Sequence, residues 1–221
     1  CYNNKDFNCS KEGFSNLTNS TNYAIKVNSN FYLAMTAANL YDVNTIFLFK
    51  NFIQKFSESE KYDDAITEFS NYLIKKRDYD LAIEYLNKDN IDSFSFENRS
   101  QSFFNRAYSN YMLGNTELAI QDFLKVLSQK KSSVSDDANF YYACLLLDSD
   151  DLNDALSYFS AIQDTELYSK KVPYYISYIM FFNKEYESAL SYVSHFLDDK
   201  TIYNYEELLL INGKLHFKLE N

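Results

Sequence analysis

The side chains able to do chemistry are few and scattered. The two histidines, His195 and His216, fall in separate helical segments. Neither has metal ligands at the right spacing on its own helix face, beyond acidic residues that are common throughout. His216 sits on an otherwise apolar helix and reads as a half-buried packing residue. Cys1, Cys9 and Cys144 form no CxxC pair and no Cys/His cluster, so a structural zinc site is not supported. Cys144 lies inside a helical pattern and reads as a small buried apolar residue. The run Asp148-Ser149-Asp150-Asp151 has carboxylates enough for calcium. It lacks the alternating ligands, central Gly and closing Glu that a calcium loop requires, and it reads as a solvated turn with helix-capping residues. Three glycines can hardly build a phosphate loop, and no nucleophile elbow is present. The expectation is a non-catalytic protein with no cofactor and no metal.

Charge narrows the partners. With 31 Asp and Glu against 21 Lys and Arg, the net charge is −10. That disfavours nucleic acid and anionic membrane surfaces, both of which attract basic patches. It permits a basic partner. No apolar run approaches the roughly 18 residues of a membrane span, so no direct span is expected. The Asn-X-Ser/Thr triplets at Asn8, Asn16, Asn19 and Asn98 are what this Asn- and Ser-rich composition produces by chance.

The elements that must carry any binding site are helices. One Pro and three Gly are too few for a many-turned β fold and suit helices joined by short polar loops. The clearest unit runs from Phe103 to Leu127. Phe103, Ala107 and Tyr111 share one helix face at i, i+4, i+8. Gly114-Asn115 breaks the pattern, Gly accepting the left-handed conformation that ends a helix. Ala119, Phe123 and Val126 then form a second stripe. A small residue followed four places later by a large apolar one recurs as Ser10/Phe14, Leu48/Phe52, Ala82/Leu86, Ala119/Phe123, Ala155/Phe159 and Ala189/Val193, at separations of 38, 34, 37, 36 and 34. Arg77-Asp78-Tyr79, Gly114-Asn115-Thr116, Asp150-Asp151-Leu152 and Lys184-Glu185-Tyr186 occupy equivalent turns.

The spacing predicts first helices at about 29–41, 63–76, 98–113, 136–148, 171–183 and 204–219. It predicts second helices at about 6–17, 45–56, 79–88, 116–129, 152–162 and 186–198. No low-complexity linker interrupts them, so 1–221 reads as one helical-repeat domain. An 18% aromatic content suits the long continuous core between stacked hairpins. Lys5–Leu17 has the second-helix pattern with no first helix ahead of it. Tyr205–Leu219 has the first-helix pattern with no second helix after it. The chain is therefore expected to be a piece of a longer repeat protein, with Cys1 an internal residue rather than a lipid-bearing terminus.

From about Lys5 to Leu219 the chain resembles the tetratricopeptide repeat (TPR), a helical hairpin of about 34 residues. The resemblance implies an all-α fold, a right-handed TPR-like solenoid of antiparallel helix hairpins with about twelve helices. Tyr79 and Tyr186 stand where the family wedges a Tyr between the paired helices. More narrowly, the strings at 138–143, 155–159 and 172–176, with 39–42 and 52–56, resemble the N-terminal part of large envelope-associated TPR proteins of the Bacteroidota type. That implies secretion, a place in the bacterial periplasm or envelope, and an assembly role.

The family's inward positions fall here on Gln101, Phe104 and Tyr108, then Asp137, Phe140 and Cys144, then Lys171, Tyr174 and Tyr178. Phe104, Tyr108, Phe140, Tyr174 and Tyr178, with Lys171, would line a concave partner-binding groove. Phe104 and Phe140 equally suit the core between hairpins. Arg106 and Lys171 alone do not reproduce the family's basic carboxylate clamp. The function implied is a protein–protein interaction scaffold holding a partner segment in the groove. The rival is a glycan- or nutrient-binding accessory protein of the envelope, since aromatic faces also stack on sugars.

Overall fold

The structure, a computed structural model, describes residues 1–220. Among them are twelve α-helices and no strand. In chain order these are α1 (Phe7–Leu17), α2 (Tyr23–Asn39), α3 (Thr45–Lys55), α4 (Tyr62–Lys75), α5 (Tyr79–Asn87), α6 (Phe96–Met112), α7 (Thr116–Leu127), α8 (Ser135–Asp148), α9 (Leu152–Ser160), α10 (Val172–Phe182), α11 (Tyr186–Ser194) and α12 (Tyr205–Glu220). Side-chain oxygens set several starts. Asp6 accepts from the Cys9 N–H at 3.1 Å and Asn22 from that of Ile25 at 3.1 Å. The Asn22 cap opens α2 at Tyr23, well ahead of the expected 29. Pro173 sits in the first turn of α10, where its missing N–H leaves no bond unmade.

Five hairpins share one turn. Tyr41, Arg77, Gly114, Asp150 and Lys184 all have positive φ, between 53° and 77°. In each case the following N–H donates to a carbonyl five residues back: Asp42 to Ala37, Asp78 to Leu73, Asn115 to Asn110, Asp151 to Leu146 and Glu185 to Met180, at 2.9–3.0 Å. This is a Schellman closure, and it satisfies carbonyls that the helix end leaves free. Only one of the five uses glycine, so the turn's hydrogen bonds and packing hold four other residues in a conformation that costs them energy.

The chain forms two compact units, Cys1–Lys125 and Val126–Asn221. In the first, Phe49, Phe69, Leu73 and Ala82 form one buried cluster and Phe31, Phe52, Phe56 and Ala65 another. In the second, Phe140, Ala155, Phe159, Ile162 and Ile176 pack together, and Ala189, Val193, Leu208 and Leu215 pack beyond them. The repeat spacing assigns the small position correctly to Ala82, Ala119, Ala155 and Ala189, all fully buried. It misplaces α3. There Thr45 and Phe49 are fully buried while Leu48 is half-buried. Thr45, Phe49 and Phe52 repeat the spacing of Ala119, Phe123 and Val126. Leu48/Phe52 is also an i, i+4 pair, and Phe47, Leu48, Phe49, Phe52 and Ile53 are all apolar, so the sequence pattern admits either face.

A disulfide joins Cys1 to Cys9, with Cα atoms 5.7 Å apart. The cysteine spacing did not single it out. His216 is exposed rather than half-buried, because α12 turns only Leu208, Ile211 and Leu215 inward. Among the described residues no helix is long and apolar enough to cross a membrane.

Candidate functional site

The six expected groove residues separate by environment. In the first unit Phe104 is half-buried, 6.0 Å from the Phe123 ring and stacked on Tyr108 at 6.1 Å. Tyr108 also meets the Tyr79 ring at 6.2 Å. Gln101 donates to the Asn105 amide oxygen at 2.9 Å. Asn105 in turn donates to Ser70 Oγ and Asn71 Oδ1, both at 2.8 Å. Thr67 and Ser102 hydroxyls pair at 3.0 Å, and Asn98 donates to Asp64 at 2.8 Å. The α4–α6 contact is therefore a polar seam whose amides and hydroxyls bond to one another. Arg106 is committed too. Its Nε and Nη2 donate to both oxygens of the Asp122 carboxylate at 2.6 and 2.9 Å, and Asp122 is 4% exposed.

In the second unit Phe140 is 6% exposed. Its ring stacks on Tyr168 at 4.8 Å and meets Phe159 and Tyr175 edgewise at 5.8 and 5.7 Å. It is a core residue and does not line a groove. At that helix position the ring points between hairpins, where these three rings and that of Tyr141, at 5.4 Å, surround it. The Lys171 ammonium lies 5.2 Å above the Phe140 ring and 5.7 Å above that of Tyr168. Asp137 accepts from the Tyr168 hydroxyl. Burial and that carboxylate push the Tyr168 phenol far up, so it stays protonated. The Cys144 thiol is half-buried rather than fully so. It is pushed up to about 12 by burial, with Asp148 adding to the rise and Lys171 opposing it.

Tyr174 and Tyr178 remain, and the structure brings them together. Their rings are 6.3 Å apart, and Phe182 continues the face 4.5 Å from Tyr178. Tyr174 is braced by Tyr175 at 5.2 Å and Tyr203 at 6.1 Å. Burial raises its phenol, with the Asn204 side chain pulling the other way. These rings form one wall of a cleft of about 260 Å³. The opposite wall is Leu147, Asp148, Asp150 and Leu152, from the end of α8, its turn and the start of α9. Phe182 is 53% exposed, so the wall has apolar surface open to a partner. The sequence reading missed Phe182, Leu152 and the two aspartates as site residues. Phe182 was findable, since 174, 178 and 182 run i, i+4, i+8. The aspartates were not, because Asp148 ends α8 and Asp150 lies in the turn that follows, and only the packing of that hairpin end beside α10 brings them to the cleft.

His195 and His216 are both exposed. Among the described residues no group of three or more His, Cys, Asp or Glu is arranged to hold a metal. Asp151 occupies the N-cap place of α9 without a side-chain capping bond. The cleft sets aromatic rings beside carboxylates.

Antiparallel hairpins of this length, closed by one recurring turn and packed on buried alanines, define a tetratricopeptide-repeat fold, a TPR-like helical solenoid. Solved structures with the same fold include YrrB, described as a TPR protein with an unusual peptide-binding site (16% identity, 92% of this chain and 99% of that one, TM-score 0.69). Pseudomonas aeruginosa PilF (13%, 98% and 100%, 0.65) and the apo form of RapI (15%, 97% and 70%, 0.65) are similar as well. No protein-family description matches the sequence, and no curated protein does.

Proposed function

We propose that this protein is a non-catalytic interaction scaffold that holds an extended segment of a protein partner against the α10 face. The observation that carries this is the cleft walled by Tyr174, Tyr178 and Phe182, half-buried to exposed rings held in place by their neighbours. Rigid aromatics contribute large contact area at small entropic cost. YrrB, which shares the fold, has a peptide-binding site. We place the protein in an oxidising compartment, the bacterial periplasm or envelope. The support is the Cys1–Cys9 disulfide, since such bonds are rare in reducing cytoplasm, together with the resemblance to envelope TPR proteins.

The test is a photo-crosslinker in place of Phe182, activated in the cells that make the protein. A protein adduct is expected, and Tyr174→Ala with Tyr178→Ala removes most of it. An adduct indifferent to those substitutions rules the cleft out. Saccharide binding by calorimetry with no protein adduct favours the glycan-binding reading instead. For the compartment, alkylation before lysis is expected to leave Cys1 and Cys9 unlabelled until a reductant is added.

A further inference from the structure

The two walls of the α10 cleft differ in chemistry, and together they specify a ligand charge. One wall is the aromatic face Tyr174, Tyr178 and Phe182. The other presents Asp148 and Asp150. Asp150 also borders an adjoining hollow with Asp151, Asp154 and Asn183. Among the described residues none of these four carboxylates forms an ion pair within 4 Å. The lysines nearest in sequence are Lys131 and Lys170, paired with Asp136 and Asp199, and Lys171, drawn over the Phe140 and Tyr168 rings, while Lys184 is exposed in the α10–α11 turn. The surrounding unit adds to the field. Residues 126–221 carry 15 Asp and Glu against 8 Lys, a net −7 of the chain's −10. The helix end of α9 does not consume the charge either, for Asp151 makes no capping bond there.

We propose that the occupant of this cleft is a basic segment of a protein partner, bound through a lysine or arginine side chain. Resting on the scaffold reading above, this adds the partner's chemistry. The hydrocarbon stem lies on Tyr178 and Phe182, where an aliphatic chain with a cationic end covers apolar surface without giving up its hydration entirely. The cationic head meets the ring faces, whose quadrupole attracts it, and reaches Asp148 and Asp150 for charge-assisted hydrogen bonds. A neutral aliphatic segment would leave two carboxylates partly desolvated with nothing in return. An acidic segment would be repelled.

The experiment uses the 221-residue chain on an array of acetylated, amidated octapeptides in which one central position takes every residue type. Enrichment of lysine and arginine is expected, falling as salt rises because the carboxylates are solvent-accessible. Asp148→Asn with Asp150→Asn is expected to weaken capture of the basic peptides about tenfold and so to narrow the preference for lysine and arginine over neutral residues. Asparagine is chosen because it tolerates the positive φ of residue 150, and circular dichroism confirms that the variant folds. Capture that depends on Tyr174 and Tyr178 but favours neutral or acidic residues overturns the cationic assignment and leaves the scaffold reading standing. Capture by no peptide class in a tyrosine-dependent way overturns both.

Discussion

Two contacts between first helices show how one hairpin geometry is held by opposite chemistries. Between α4 and α6 the contact is polar, with Thr67 on Ser102 and Asn105 on Ser70 and Asn71. Between α8 and α10 it is aromatic, with Tyr175 lying edge-on to Phe140 at 5.7 Å and sandwiched by Phe159 at 4.9 Å and Tyr203 at 5.8 Å. The polar seam is directional, so its donors and acceptors are spent on one another. The aromatic seam is not. Rings that fill the core on one side leave Tyr174, Tyr178 and Phe182 with faces free on the other. Buried amides and hydroxyls bonded to one another offer nothing to a partner, whereas half-buried rings present contact area. That difference is why the proposed recognition site lies in the second unit.

The largest break in the comparison is expected from Phe140→Ala. Emptying a site enclosed by Tyr168, Phe159 and Tyr175 should cost about 3–5 kcal/mol, read as a lowered urea midpoint by circular dichroism. Arg106→Ala comes next. It leaves the Asp122 carboxylate buried with Lys125 at 3.7 Å as its remaining ion-pair partner among the described residues, and is expected to cost about 2–3 kcal/mol, below the full penalty for a stranded buried charge. Arg106→Lys recovers part of this, because it keeps the charge and loses the fork. In the polar seam Asn105→Ala should cost about 1–3 kcal/mol by stranding its partners. Thr67→Val with Ser102→Ala together should cost less than Thr67→Val alone, since both sides of that hydroxyl pair vanish at once. A double-mutant cycle measures it, and additive costs would show that the pair contributes no coupling.

The smallest effect sharpens the second unit alone. Lys170 and Thr201 hold the Asp199 carboxyl at about 2, and the Tyr203 N–H donates to the Lys170 carbonyl at 2.7 Å. A depressed carboxylate stabilises the folded state above its unfolded pKa near 4. The contribution is lost as pH falls from about 4 to about 2. Urea midpoints of the parent and of Asp199→Asn are expected to converge across that window and to differ above it.

How much of this was legible beforehand varies by residue. Helix periodicity located all twelve helices, since a 3.6-residue stripe needs only local sequence. The buried alanines were found because hairpins can approach closely only over a small side chain, which recurs at the repeat length. In α3 the same logic failed, because Phe47 through Ile53 is apolar on more than one face and burial alone distinguishes Phe49 from Leu48. Tyr174 and Tyr178 were named correctly as neighbours on one face. Phe140 stood equally for core or groove until four surrounding rings placed it inside.

Local order in the chain thus determined the hairpins and their turns, for those depend on near-neighbour spacing and on where a backbone can reverse. It also set the acidic balance. Which rings face water and which fill the core was decided only by packing between hairpins, where residues some 30 positions apart compete for the same space. The pairing of an aromatic face with Asp148 and Asp150 has the same origin: a turn in one hairpin stands beside a helix of the next, and no periodicity within either one records it.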